Sequence, residues 1–550
     1  MTLVRLTRRS ATIIEWTAAC LLTAAVAYLH VRALQHLGPL WRDEISSLHL
    51  ATAPTVHGFW SALVYDPFPA LFFATLRFWH WCGLGETDAA LRVLGCVIGL
   101  GICTAIWIVG WTVKKAPPLL ALVLFGLSPV AVVWGDSLRP HGFSCLWNIL
   151  AIAGFAKLLC PRPCLTDVIA ATVAALLSVH SLFPNAVFLF AVATGVMAVA
   201  LRRGWWRPVV ITAAIGLTAL ISLLFYVPII RQALNWTALA KGNANLGSIL
   251  ERLFHAASGA GKVGVLLWAG SAIITVSAIS VTLVRWPRIG WSETDKDVVL
   301  YAGITVVIAT VGIIGFFLFI GWTTSIWYYV PVMAAAAVCF DAIAGMLRRG
   351  PRSIVIGAVI ALVAAVFVWP AAYRATATRL TNVDVLSAEI AGIADKDDLI
   401  VVDRYFYAIS FNRYYHGQAR WLSAPDLPDV NLHRWDLLTE VMRHPQPIAP
   451  IIDQIQQTLR AGHNVFIVGY AQINWAAGPP ADLPPAPRGS LGWTLWPYVG
   501  TWTRQIDYAA QEHAEHGVIL PVDCHQPVSS GENLKVLVLA GWREQPRRLY

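Results

Sequence analysis

Three polar clusters interrupt an otherwise apolar sequence, and each holds residue types that can move a proton or bind an anion. The first is Trp41-Arg42-Asp43-Glu44, directly after an apolar run, at the depth where lipid headgroups meet water. A carboxylate partly withdrawn from water gains proton affinity and can act as a general base, so Asp43 and Glu44 are candidate catalytic acids. The plainer alternative is a solvated pair capping a helix that begins at Ile45. The same segment continues to Tyr65-Asp66-Pro67-Phe68-Pro69, with Asp66 a further candidate acid. The second cluster is Trp134-Gly135-Asp136-Ser137-Leu138-Arg139-Pro140-His141. Here Asp136 and Arg139 either pair and cap the neighbouring helices, or Arg139 offers its planar donor fork to a lipid phosphate while Asp136 orients it or binds a cation. The third, Ser178-Val179-His180-Ser181, contains a lone His, more often a structural residue than a catalyst. Cys160 and Cys164 lack partner ligands for a metal site.

The elements that position these clusters are membrane spans. Of 550 residues, 57% are hydrophobic and 13% charged, against about 25% charged in soluble proteins, which nearly excludes a water-soluble enzyme. Twenty-five Trp suit a chain with much membrane-interface area. A span needs roughly 20 mainly apolar residues. Eleven stretches qualify, at about 13–32, 92–113, 116–134, 141–158, 166–184, 185–201, 208–228, 263–284, 298–320, 326–346 and 353–373. The uncharged run 298–340 is too long for one span and is broken at the polar stretch 321–325. Between the first two spans lies an outer loop, 33–91, whose apolar stretch Ala70–Cys82 is too short to cross and is expected to lie along the interface as an amphipathic helix.

Lys and Arg set the orientation, because short cytoplasmic loops collect them. With the N-terminus inside, the inner segments hold most of the basic residues, among them Lys114, Lys115, Arg202, Arg203, Arg348 and Arg352. The odd number of spans then places residues 374–550 outside the cytoplasm. The net charge of +9 divides into +12 for residues 1–373 and −3 for 374–550. The basic balance is thus mainly an orientation signal and gives no reason to expect nucleic acid. The first apolar run lacks a clear small-x-small cleavage site and is read as a retained span.

From residue 374 the composition changes to that of a soluble domain. Asp398–Asp403, Asn464–Val468 and Lys535–Leu539 read as buried strands, and Val383–Ala394 and Ile451–Ala461 as helices, giving an α/β layer. No Gly-rich phosphate loop accompanies them, so a dinucleotide site has no support. Only Cys524 of the nine Cys lies beyond residue 340, so no disulfide framework staples this part.

In order, Asp43-Glu44, Asp66-Pro67-Phe68-Pro69, Ala89-Ala90-Leu91-Arg92-Val93-Leu94-Gly95, Ser128-Pro129 and Asp136-Ser137-Leu138-Arg139 resemble the GT-C superfamily of polyprenyl-phosphate-sugar-dependent glycosyltransferases. The resemblance is to the branch of protein O-mannosyltransferases and the aminoarabinose transferase of lipid A, and it covers about the first 200 residues. Trp327-Tyr328-Tyr329-Val330-Pro331, and Val402 to Tyr415, resemble members with an extracytoplasmic α/β tail. Two departures are Asp-Pro-Phe-Pro where many relatives have Asp-x-Pro-Pro, and Pro140-His141-Gly142 where an aromatic Tyr is common.

The resemblance implies a polytopic α-helical protein of the inner or plasma membrane, with a GT-C-like domain at 1–373 and an extracytoplasmic α/β domain at 374–550. It implies a polyprenyl-phosphate-linked sugar donor and a lipid, glycan or protein acceptor. In that reading Asp43 deprotonates the acceptor hydroxyl and Glu44 positions the acceptor or tunes Asp43, since two adjacent acids do not both ionise cheaply in a dry cleft. Arg139, with Arg92 or His180, stabilises the leaving phosphate. Asp66, Asp136 and His141 are substrate-binding candidates, and a divalent cation is left open. The competing classes are a transporter or flippase of lipid-linked glycans and a non-catalytic envelope scaffold. A transporter predicts polar or broken helices at the midplane and related halves, neither of which is visible in the sequence.

Overall fold

The computed structural model describes residues 7–236, 245–284, 291–321, 324–348, 350–469, 480–486 and 494–545. Of the polar stretch 321–325 expected to separate two spans, Trp322 and Thr323 lie outside these. The protein is a polytopic helical membrane protein with a small C-terminal sheet. It divides into two compact units, one of Met1–His36, Phe68–Val227 and Asn243–Ala377, the other of Leu37–Pro67, Pro228–Gly242 and Thr378–Tyr550.

Among the described residues, eight helical stretches are long and apolar enough to cross a membrane. They include Arg8–His36, Asp88–Lys114, Asn185–Arg202, Glu293–Ile320 and Pro351–Ala375. The stretches expected at 116–134, 141–158 and 166–184 form shorter helices. The first divides into Leu119–Gly126 and Pro129–Gly135, because Pro129 lacks an N–H and starts a new helix whose cap is the Ser128 hydroxyl, accepting Ala131 N–H. The others run Pro140–Ala156 and Leu165–Val179. Within the expected stretch Ala70–Cys82, Leu71–Trp79 is a short helix with Phe72, Phe73 and Leu76 buried and Phe78 exposed.

Two ion pairs join apolar helices. Lys114 Nζ lies 2.6 Å from Asp341, and Arg348 lies 3.4 Å from Glu15. A buried ion left single costs several kcal/mol, about what an apolar helix cannot spare. Polar side chains also link the helices. Asn185 bonds Ser144 and the Ser178 carbonyl, while Ser178 donates to Asn148.

The second unit is built on a five-stranded sheet of β1 (Leu399–Asp403), β2 (Arg420–Ala424), β3 (Val465–Gly469), β4 (Ala514–Leu520) and β5 (Lys535–Trp542), in the order β2-β1-β3-β5-β4. β1 is parallel to β2 and β3, and β5 is antiparallel to β3 and β4. β1 and β3 are buried throughout, as their unbroken Leu, Ile and Val runs require. Ala449–Arg460 buries Ile451, Ile455 and Leu459, one stripe at helical spacing. β2 and β4 were not foreseen from the sequence.

Candidate active site

In the second unit, Asp43 and Glu44 sit in the first turn of a helix that starts at Arg42, three residues before the expected Ile45. The chain reaches that turn through Gly38, whose φ of +75° favours glycine. Leu40 is then fixed by Tyr414, whose hydroxyl accepts Leu40 N–H at 2.8 Å and donates to Leu40 O at 3.1 Å. Glu44 is fully buried and accepts Trp41 N–H at 3.2 Å, a reciprocal bond that satisfies a donor left over at the helix start. The capping role weighed for this acidic pair therefore falls to Glu44.

Asp43 is more open, its side chain 19% exposed. Its Oδ1 lies 3.4 Å from Arg42 Nε and 3.3 Å from His433 Nε2. Glu532 is fully buried, accepts Arg42 N–H at 3.3 Å through Oε2 and Ser410 O–H at 2.6 Å through Oε1. Burial pushes its carboxyl up to about 7, against the pull of Arg42 and Ser410, and Asp43 adds to the rise. Tyr405, buried and close enough to feel both Arg42 and Asp43, is raised by burial above the usual phenol range. Its hydroxyl has no hydrogen-bond partner among the described residues.

Asp66 is 5% exposed, and its neighbour Tyr65 belongs to the same unit. The Tyr65 hydroxyl donates to Asp436 at 3.2 Å, its carbonyl accepts Trp435 Nε1–H at 3.0 Å, and its ring lies 4.9 Å below the Arg434 guanidinium. The stretch 429–436 thus touches both polar motifs of the outer loop, Asp43 through His433 and Tyr65 through its three successors.

In the first unit, Asp136 closes the helix Pro129–Gly135 and binds His30 on Arg8–His36, with Nδ1 at 2.8 and 2.9 Å from the two carboxylate oxygens. Burial raises the Asp136 carboxyl above its usual range, opposed by His30 and by Arg92. The turn packs into a groove cut by glycines. A Cβ on Gly95 would collide with the Asp136 carbonyl, one on Gly99 with Asp136 Oδ1 and His30 Nδ1, and one on Gly142 with the Gly135 carbonyl. Arg139 is 7% exposed and stands 5.0 Å over the Phe68 ring. His141 is buried, edge-on to Phe68 at 5.8 Å and to Tyr328 at 5.4 Å. Trp327, beside Tyr328, packs on Trp134 at 4.5 Å.

His180 has both ring nitrogens engaged, Nδ1 with Tyr226 Oη and Nε2 with Ser222 Oγ, each at 3.0 Å. Tyr226 in turn accepts Ala70 N–H at 3.1 Å. His180 is therefore built as a link that sets the start of the helix Leu71–Trp79.

The structure gathers Asp43, Glu44 and Asp66 in one unit and Arg92, Asp136, Arg139, His141 and His180 in the other. Sequence reasoning missed His30, His433 and Glu532. A single His in an apolar span was the available signal for His30; the other two carry none that is local. Among the described residues no three His, Cys, Asp or Glu side chains form a metal-binding group.

No model of a known protein family matches the chain, and no curated protein matches it in sequence. Solved structures do. The crystal structure of ArnT from Cupriavidus metallidurans in the apo state matches with a TM-score of 0.50 at 15% identity, over 82% of this chain and 93% of that one. The structure of the same protein bound to undecaprenyl phosphate matches with a TM-score of 0.48, also at 15% identity, over 82% of this chain and 92% of that one. At this identity the likeness is one of architecture: the chain has an ArnT-like fold.

Proposed function

We propose that the protein is an integral-membrane inverting glycosyltransferase that moves a sugar from a polyprenyl-phosphate donor to an extracytoplasmic lipid, glycan or protein acceptor. The observation that carries this reading is the Asp43 carboxylate, partly exposed on a fixed helix turn and faced on one oxygen by Arg42 and His433. The ArnT-like fold and the order of acidic and Arg motifs support the donor class. The Lys and Arg distribution supports a cytoplasmic N-terminus and an extracytoplasmic C-terminal segment.

In the proposed reaction, Asp43 takes the proton of the acceptor hydroxyl, whose oxygen forms a bond to the anomeric carbon. The bond from that carbon to the phosphate oxygen breaks in line, and polyprenyl phosphate leaves with the electron pair. Arg139 and Arg92 meet the charge on the leaving phosphate. Asp136 acts through His30 to shape the turn that presents Arg139, and Asp66 and His141 line the substrate. The test compares envelope glycans, glycolipids and glycoproteins by mass spectrometry in cells with the gene, without it, and with Asp43→Asn. One sugar residue is expected to disappear on deletion and to stay absent with Asp43→Asn. An unchanged glycan profile on deletion would overturn the reading.

A further inference from the structure

A general base is useful only if its carboxylate is ionised and aimed, and adjacent donors do both. In this protein one group beside Asp43 is its chain neighbour Arg42, and the other, His433, comes from far along the chain. His433 is 9% exposed and stacks on Trp435 with ring centroids 5.5 Å apart and planes 17° from parallel. Trp435 is tied to the Tyr65 carbonyl. Arg434, between them, makes 2.7 Å contacts to Asp429 and to Asp436. The imidazole thus rests on an anchored indole, and its Nε2 lies 3.3 Å from the Asp43 oxygen that Arg42 Nε approaches at 3.4 Å. On the backbone side, Glu532 accepts the N–H of Arg42, the first residue of the helix, and is itself held by Ser410. One contact fixes the carboxylate, the other fixes the turn that carries it.

Resting on the reading of Asp43 as the base, we propose that His433 and Glu532 are its positioning residues, so that the C-terminal segment is part of the catalytic apparatus. Neither residue touches the reacting atoms. His433 fixes the rotamer of Asp43, and Glu532 holds the helix start against Ser410. A base that contributes roughly 10²–10⁴ in rate loses part of that when misaimed. The expected loss is therefore about tenfold or more.

The test uses the full-length protein. In cells, the amount of the sugar residue lost on deletion is measured for His433→Ala, His433→Gln, Glu532→Ala and Glu532→Gln. The Ala variants are expected to lower it at least about tenfold, while Gln, which keeps a donor or an acceptor in place, restores most of it. Purified Ala variants are expected to bind undecaprenyl phosphate as wild type does in native mass spectrometry, and to melt within a few degrees of it. Unchanged sugar transfer in both Ala variants, with Asp43→Asn inactive, overturns the positioning role. Loss of transfer accompanied by loss of undecaprenyl phosphate binding overturns it too, since the defect would then be general. Failure of the underlying reading is distinct: Asp43→Asn itself would transfer sugar normally.

Discussion

The His30 imidazole and the Asp136 carboxylate, 106 residues apart in sequence, meet at 2.8 Å in a buried contact of the first unit. The pair joins the helix Arg8–His36 to the turn that holds Arg139. Removing one partner of a buried pair leaves the other uncompensated, at a cost of about 3–5 kcal/mol. His30→Leu is therefore expected to lower the melting temperature of the detergent-solubilised protein strongly. Asp136→Asn, which still accepts a hydrogen bond, is expected to cost less. Equal melting curves for His30→Leu and wild type would show that the contact is not structural.

Gly95 and Gly99 make the room for this pair. Gly99→Ala sets a methyl against the Asp136 and His30 side chains, and overpacking of this kind costs typically about 1–3 kcal/mol. Gly216, in Trp206–Ser222, faces open space. Gly216→Ala is expected to be neutral or slightly stabilising, because Ala is the better helix former. Yields of monodisperse protein for the two variants should differ accordingly. The same yield from both would mean that the groove tolerates a methyl.

Much of this architecture was legible because hydropathy and the need to bury charge act locally along the chain. Uncharged runs marked the helices, and the unbroken apolar stretches marked β1, β3 and β5. β2 and β4 escaped because edge strands need bury only one face: Arg420-Trp421 and Glu515-His516-Gly517 dilute the apolar signal. Asp43 was visible as an acid at the end of a span, but its partners were not. His433 lies 390 residues away, and nothing near it in sequence separates it from any other His beside an Arg. The choice between Asp136 and Arg139 pairing with each other and other partners was a tertiary one, and His30 takes the carboxylate.

Arg139 tests the phosphate role. Its guanidinium is nearly buried and lies over Phe68, a setting in which Lys does not replace Arg, since it lacks both the planar fork and the stacking face. Arg139→Lys is expected to weaken undecaprenyl phosphate binding about tenfold in a native mass spectrometry titration, roughly the 1.4 kcal/mol of one charge-assisted hydrogen bond. Wild-type binding by Arg139→Ala would remove Arg139 from the phosphate site.

The second unit also makes a pH prediction. Burial raises Asp403 to about 6, Asp507 to about 7 and Glu532 to about 7. Asp403 and Asp507 repel each other's charge, and Thr503 bonds Asp403 at 3.0 Å. Between about pH 4 and 7 the folded protein therefore holds protons that the unfolded chain has released. Stability is highest at the acidic end of that window and falls as pH rises through it, with little further loss above about 7.5. Moving one buried carboxyl from 3.8 to about 6 is worth roughly 3 kcal/mol. Hydrogen exchange at the amides of β1 and β3 is expected, after correction for intrinsic rates, to show protection declining from pH 5 to 7.5. Glu532→Gln and Asp403→Asn each remove one ionisable group and should flatten that slope. Protection that rises over the same interval would show that these carboxyls are ionised in the folded protein and that other groups govern its response to pH.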